Sequence, residues 1–106
     1  MKTNIYRQCI NFFYNTQLYP AFYNNDYKKL QYLINKGADV NQSDLYGATL
    51  LHLAADEGDD EALEMFLDAG ANVMAKTCNG TTALKLASHG GYYNCIKLLV
   101  DAGAEE

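Results

Sequence analysis

The sequence predicts an all-α solenoid, a row of stacked helix-turn-helix units. Its clearest feature is an internal repeat, because residues 44–73 recur 33 positions later, with Gly47 matching Gly80 and Thr49 matching Thr82. Within each copy, apolar residues recur three or four positions apart, which is the spacing of a helix that buries one face. Repeats of this length are supersecondary units that bury their apolar surfaces against their neighbours.

The N-terminal residues 1–26 are predicted to form a degenerate capping unit. Apolar side chains at helical spacing within residues 1–15 indicate a short amphipathic helix: they are Ile5, Cys9, Phe12 and Phe13. One repeat length before Thr49 lies Thr16, and Pro20 stands where the later copy has Leu53. Because proline fits only the first turn of a helix, a second helix is expected to begin just before Pro20.

Aromatic residues are concentrated in this capping unit. Nine of the thirteen lie within the first 32 residues, which leaves two interpretations open. They form a bulky buried cap at the end of the array, or they form an exposed docking patch. Exposure of Tyr14, Tyr19 and Tyr23 together favours the docking patch.

Three further segments follow the capping unit at the repeat length. Residues 27–43 end the first repeat with an outer helix, whose apolar stripe includes Leu30 and Leu33, and Gly37 ends that helix. Residues 44–76 form the second repeat, in which Thr49 is placed to cap the inner helix. Residues 77–106 form the third repeat, with an inner helix near 83–89 and an outer helix near 93–101.

Residues 49–55 read TLLHLAA and resemble the T-P-L-H-x-A-A core of the ankyrin repeat. The resemblance extends over residues 27–104 and implies one ankyrin-repeat domain over residues 1–106, with about three repeats and an N-terminal helical cap. It also implies that His52 forms hydrogen bonds within its own and adjacent turns. Four positions depart from the pattern. Leu50 and Ala83 stand where proline is usual, Lys85 replaces the histidine, and Met74 replaces the asparagine found at Asn41.

Composition restricts the compartment and the class of partner. The net charge is −5 and the pI is about 4.8, which argues against nucleic-acid and anionic-membrane partners because these need clustered basic residues. A protein partner with a basic or a neutral surface is expected instead. The three cysteines show no paired spacing, and no apolar run is long enough to span a membrane. The expected location is the cytoplasm, or the host cytoplasm if the chain is a secreted effector.

No motif indicates catalysis, a metal or a cofactor. Cys78, His89 and Cys95 are separated by eleven and six residues, which matches no compact zinc pattern. The acidic run 56–61 lacks the ligand spacing of an EF-hand and is explained by a solvated turn followed by helix-dipole complementation. An acidic contact patch for a basic partner is the alternative for this run. We therefore expect no enzyme.

A repeat array leaves its finger loops and inner-helix ends unconstrained by folding, so these positions are available to bind a partner. By resemblance, the expected contact residues are Leu45, Tyr46, Ala48, Asp56, Glu57, Cys78, Asn79, Thr81 and His89. The predicted function is a non-catalytic protein–protein interaction module. Two alternatives remain open: a small inhibitor or regulatory subunit, and the binding arm of a larger protein such as a bacterial or viral effector.

The end of the third repeat is expected to be uncovered. Ile96 and Leu99 have no following repeat to bury them within residues 1–106. Three interpretations remain open: the sequence is part of a longer array, the end face is polar enough to be exposed, or it meets another subunit. The last predicts weak self-association through the uncovered end faces.

Overall fold

The structure is a computed structural model that describes residues 5–105, with side chains from Phe12 onward. In this part of the chain the backbone forms six helices and no strand, apart from an isolated bridge between Ser43 and Thr49. The helices are α1 (Ile5–Tyr23), α2 (Tyr27–Asn35), α3 (Leu50–Glu57), α4 (Asp60–Asp68), α5 (Ala83–Gly90) and α6 (Tyr93–Asp101). None of them is long and apolar enough to cross a membrane. The chain divides into two compact units, and the boundary between them lies between Val40 and Asn41.

The first unit is the helical hairpin of α1 and α2. Its core contains Leu18, Ala21 and Phe22 from α1 and Leu30 and Leu33 from α2, and all five side chains are buried. The carboxylate of Asp26 accepts a hydrogen bond from the backbone N–H of Lys29, which satisfies a free donor at the start of α2.

Helix α1 differs from the sequence expectation of a short helix followed by a second one that begins near Pro20. It is a single helix of 19 residues, and Pro20 lies close to its C-terminal end. The prediction of proline in a first turn is therefore wrong. A proline inside a helix costs about 3 kcal/mol, but burying Leu18 and Phe22 contributes about 1.5–3 kcal/mol each. Packing on both sides of Pro20 therefore offsets the proline. Residues 1–4 of the expected short helix lie outside the described residues.

The three tyrosines whose joint exposure favours an N-terminal docking patch are not exposed together. Tyr14 and Tyr19 are half-buried, whereas Tyr23 is 59% exposed. Phe22 is buried in the core of the unit, and the rings of Tyr14 and Tyr32 meet edge to face with their centroids 6.4 Å apart. Only one of the three tyrosines is exposed, so the condition that favours a docking patch of these three is not met, although Phe12, Phe13 and Tyr32 are also exposed.

The second unit contains two helical hairpins related by the repeat, α3 with α4 and α5 with α6. Thr49 and Thr82 are the N-caps of the inner helices, and each hydroxyl accepts a backbone N–H three residues later. Each inner helix ends at a glycine with positive φ, Gly58 and Gly91, which is the conformation that favours glycine at a helix end. The capping pattern predicted from the repeat is thus confirmed.

Small side chains allow the inner helices α3 and α5 to pack closely. Ala54, Ala55 and Ala87 are completely buried. Phe66 of α4 and Leu99 of α6 are also completely buried and form the core beneath the outer helices. The ring of Tyr92 lies over Gly58 and Gly90, where an added methyl group would collide with it. This contact joins the turns of the two hairpins.

The last repeat is better covered than the sequence analysis expected. Leu99 is fully buried and Ile96 is half-buried, so the expectation that Leu99 is uncovered is wrong, because the α5–α6 hairpin buries it without a further repeat. The exposure of the inner helix α5 differs more from that of α3 in the preceding repeat. Lys85 and Ser88 are exposed, whereas His52 and Ala55 at the equivalent positions of the preceding repeat are buried. The face after the third repeat is therefore polar along its inner helix.

Candidate functional site

The first finger, residues 44–48, is a tight turn organised by Asp44. One carboxylate oxygen, Oδ1, accepts the backbone N–H groups of Tyr46 and Ala48 at 2.8 and 3.0 Å. The backbone N–H of Asp44 donates to the carbonyl of Ala48 at 2.9 Å, and the N–H of Gly47 donates to the carbonyl of Asp44 at 3.0 Å. Because the turn uses its own polar groups, it fixes the backbone without burying Leu45 or Tyr46.

The second finger, residues 77–81, repeats this arrangement with a hydroxyl in place of the carboxylate. Oγ1 of Thr77 accepts the N–H groups of Asn79 and Thr81 at 3.3 and 3.2 Å. Sequence analysis did not select Asp44 or Thr77. The signal was present, because Asp and Thr at the first position of a turn bond the backbone two residues later, and the two positions are one repeat length apart.

The two fingers contact each other directly. The backbone N–H of Cys78 donates to the carbonyl of Tyr46 at 2.9 Å, and Sγ of Cys78 lies 3.9 Å from the carbonyl oxygen of Leu45. Gly47 makes this approach possible. Its φ is +78°, and a Cβ at this position would lie 2.9 Å from the backbone nitrogen of Cys78. The backbone segments that carry Tyr46 and Cys78 are therefore held next to each other.

His52 fixes the fingers to the inner helix. Its Nδ1 accepts the backbone N–H of Thr49 at 3.0 Å, so the ring proton resides on Nε2. Nε2 then donates to the carbonyls of Ala75 and Thr81, each at 3.0 Å. The side chain is 1% exposed. Its contacts have the structural role that the resemblance implied, since every ring nitrogen is used in positioning the backbone.

Exposure separates the nine predicted contact residues. Leu45 is 96% exposed and Tyr46 is 76% exposed, although both are large and apolar. Ala48 and Thr81 are half-buried and follow the finger tips into the repeat. The remaining predicted residues are exposed: Asp56, Glu57, Cys78, Asn79 and His89.

These residues form two clusters rather than one. Leu45, Tyr46, Cys78 and Asn79 lie at the finger tips, before the N-terminal ends of the inner helices. Asp56, Glu57 and His89 lie at the C-terminal ends of the inner helices α3 and α5. An inner helix of eight residues is about 12 Å long, so a ligand that touches both clusters must extend along the helices. A short extended segment or a folded surface satisfies this requirement.

The electrostatic character of the chain differs between the two units. Residues 41–106 contain eleven acidic side chains and three lysines, a net charge of −8, whereas residues 1–40 contain five basic and two acidic side chains, a net charge of +3. The overall charge of −5 conceals this difference. The finger-tip and helix-end clusters both belong to the acidic unit, so the electrostatic field around them is negative.

The described side chains contain no group of three or more His, Cys, Asp or Glu residues that could hold a metal ion. Cys95 is buried, matching the core position of Ala62 as predicted, while Cys78 is exposed at the second finger. Burial raises the pKa of the Cys95 thiol, and the negative charges of Asp60 and Asp59 raise it further. Cys95 is consequently a protonated core side chain.

A groove of about 470 Å³ borders the inner helix of the third repeat. Leu84 and Met74 contribute apolar surface to it, and Lys76, Lys85 and Glu105 contribute charge. The residues at the equivalent inner-helix positions of the preceding repeat are covered, so this groove marks the end of the packed array within the described residues.

Comparison with known proteins identifies the fold. The family model described as ankyrin repeats (3 copies) matches residues 15–106. None of the curated proteins compared with the chain is significantly similar to it. The family match includes the fingers, the inner helices and all nine predicted contact residues.

Proposed function

Because the chain belongs to the ankyrin-repeat family, whose members are generally protein–protein interaction modules, we propose that it is a non-catalytic module that binds a partner protein through its fingers. The partner contacts the finger tips first, and the helix-end cluster of Asp56, Glu57 and His89 extends the contact surface. A partner with a basic surface complements the charge of −8 on residues 41–106.

The observation that carries this proposal is the exposure of Leu45 and Tyr46 on a rigid turn. Large apolar side chains at 96% and 76% exposure contribute nothing to the core, and the hydrogen bonds of Asp44 hold them in place. Tyrosine is enriched among residues that dominate binding energy, because it supplies contact area at low entropic cost. An anchor on a pre-ordered backbone also avoids the cost of ordering the loop on binding.

Charge supports the second part of the surface. Asp56 and Glu57 are both exposed at the C-terminal end of α3, so neither carboxylate belongs to the core of the described residues. Charged groups at the rim of an interface mainly increase the association rate and select against wrong partners. We therefore assign affinity to Tyr46 and Leu45, and charge selection to Asp56 and Glu57.

The test is affinity capture with the wild type and three variants, followed by mass spectrometry. Tyr46→Ala should lose partners that the wild type recovers, and Asp56→Lys should lose the basic ones. Tyr93→Ala is the matched control, since Tyr93 is 78% exposed but lies on the outer helix α6. Equal recovery by the wild type and Tyr46→Ala, or equal losses for Tyr46→Ala and Tyr93→Ala, would reject the finger site.

A further inference from the structure

Helix α2 presents an exposed row of positive and aromatic side chains. Lys28, Tyr32 and Lys36 follow one another at intervals of four residues, which places them on one side of the helix. All three are exposed, Tyr32 by 52%. We call these three residues the basic–aromatic stripe.

Contacts within the first unit hold Tyr32 and Lys36 in position. Nζ of Lys36 lies 5.6 Å from the centroid of the Tyr32 ring, a cation–π distance. The ring of Tyr14 meets Tyr32 edge to face at 6.4 Å, and Phe13 meets Tyr14 at 5.7 Å. Phe13 itself is 61% exposed, so apolar surface continues beside the stripe. Tyr32 and Lys36 therefore form an ordered surface, and Lys28 adds an exposed positive charge at the other end of the stripe.

Helix α4 presents the opposite charge with a similar spacing. Glu61, Glu64 and Asp68 are exposed and lie at intervals of three and four residues on one side of the helix. We call these the acidic stripe. The terminal lysines of the basic–aromatic stripe are eight residues apart, about 12 Å along a helix, and Glu61 and Asp68 are seven residues apart, about 10 Å. The two stripes therefore match in length and carry opposite charges, two positive against three negative, with Lys97 of α6 in the same groove as Glu61 and Glu64.

We propose that the chain associates with a second copy of itself, with the basic–aromatic stripe of one copy docked on the acidic stripe of the other. In an antiparallel arrangement Lys36 faces Glu61 and Lys28 faces Asp68, while Tyr32 packs beside the side chain of Glu64. This direction also places the negative end of one helix dipole beside the positive end of the other. The first unit of one copy has a net charge of +3 and the second unit of the other copy has a net charge of −8. These charges attract each other over a longer range than the individual contacts.

None of the six residues of the two stripes belongs to a finger or lines the groove after the third repeat. Exposed ion pairs are individually weak, so the association depends on salt and on protein concentration. It goes beyond the proposed binding function, because Tyr46 and Asp56 take no part in it. A chain that fails to bind any partner through its fingers still associates in this way.

The experiment is analytical ultracentrifugation of the full chain over a concentration series. The wild type should show a reversible increase in mass that disappears at about 1 M salt, where the screening length is about 3 Å. The variant with Lys28→Glu and Lys36→Glu should weaken association at least about tenfold, since two attractive contacts become repulsive. The variant with Glu61→Lys and Asp68→Lys should do the same.

A mixture of these two variants is the decisive test. The reversed stripe of one variant is opposite in charge to the reversed stripe of the other, so association should return. The variant with Lys76→Glu and Lys85→Glu is the matched control for the Lys28→Glu, Lys36→Glu variant. It changes the net charge by the same amount, but both lysines lie outside the two stripes, so it should associate like the wild type. Tyr46→Ala should also associate normally. Circular dichroism verifies that each variant is folded.

Three outcomes would overturn the proposal. The first is a wild type that stays monomeric at every concentration. The second is a mixture of reversed variants that does not associate. The third is charge reversals that lower the melting temperature without changing the mass, which would mean that the charges act within one chain.

Discussion

Replacing His52 by alanine tests how the fingers are held. The substitution removes an acceptor for the backbone N–H of Thr49 and a donor shared by the carbonyls of Ala75 and Thr81. Each net hydrogen bond contributes about 0.5–1.5 kcal/mol, and a buried group left without a partner costs about 1–3 kcal/mol. With the cavity left by a completely buried ring, we expect His52→Ala to lower the free energy of unfolding by about 3 kcal/mol.

Urea denaturation measures this loss. For a chain of this size the urea dependence is about 1.5 kcal/mol per molar, so the midpoint should decrease by about 2 M. Lys85→Ala is the matched control, since Lys85 occupies the same position in the third repeat but is exposed. Its effect should stay within about 0.5 kcal/mol. Amide hydrogen exchange at Asn79 and Thr81 should also accelerate in His52→Ala, because the second finger loses its attachment.

The reasoning fails if His52→Ala costs less than about 1 kcal/mol, or if the two substitutions cost the same. Either result would mean that the contacts of the ring do not stabilise the fingers. If His52→Ala greatly lowers stability but leaves amide hydrogen exchange in the second finger unchanged, the lost stability comes from the packing of the ring and not from its hydrogen bonds.

Three further predictions concern single contacts. Gly47→Ala should destabilise the protein by about 1 kcal/mol more than Gly80→Ala in urea denaturation, because both positions have positive φ but only at Gly47 would the new Cβ meet backbone, 2.9 Å away; equal losses would contradict this. Asn41→Met should cost about 1–2 kcal/mol, since the Asn41 amide donates to the carbonyl of Gly70 at 3.1 Å and accepts the backbone N–H of Asn72 at 2.6 Å; a thermal melt unchanged from the wild type would refute it. Burial and nearby carboxylates raise the pKa of Cys95, so the folded state retains the thiol proton longer than the unfolded chain and stability decreases as the pH rises through the ordinary thiol range. The stability advantage of the wild type over Cys95→Ala should therefore shrink with rising pH, and a constant difference would contradict the assignment.

Much of the second unit was predictable from sequence, because two copies of one pattern constrain each other. Thr49 and Thr82 gave the helix starts, and Gly58 and Gly91 gave the ends. The first unit was less predictable, since it has no second copy to compare. Pro20 indicated a helix start locally, but the burial of Leu18 and Phe22 on either side decided in favour of one long helix.

The candidate site was predictable in position but not in detail. The repeat placed Tyr46 and Cys78 in equivalent turns, yet only coordinates reveal that Cys78 donates to the carbonyl of Tyr46. The exposures of Leu45 and Ala48 also differ greatly, although both belong to the same finger. Side-chain direction in a turn depends on backbone dihedral angles that residue type alone does not determine.

The distribution of charge was not predicted from the sequence, although every charged residue could be counted there. The total of −5 suggested an acidic chain throughout, whereas the division between Val40 and Asn41 separates a basic unit from an acidic one. The counts were available from the sequence, but the boundary was not. Lys28 and Lys36 could therefore be recognised as part of a basic surface only after the boundary of their unit was known.

Hydrogen–deuterium exchange on the chain with and without a captured partner tests the finger site most directly. Binding through the fingers predicts slower exchange in residues 44–48 and 77–81, with the outer helices α4 and α6 unchanged at protein concentrations where the chain is monomeric. Protection confined to the outer helices, with both fingers exchanging as in the free chain, would contradict it.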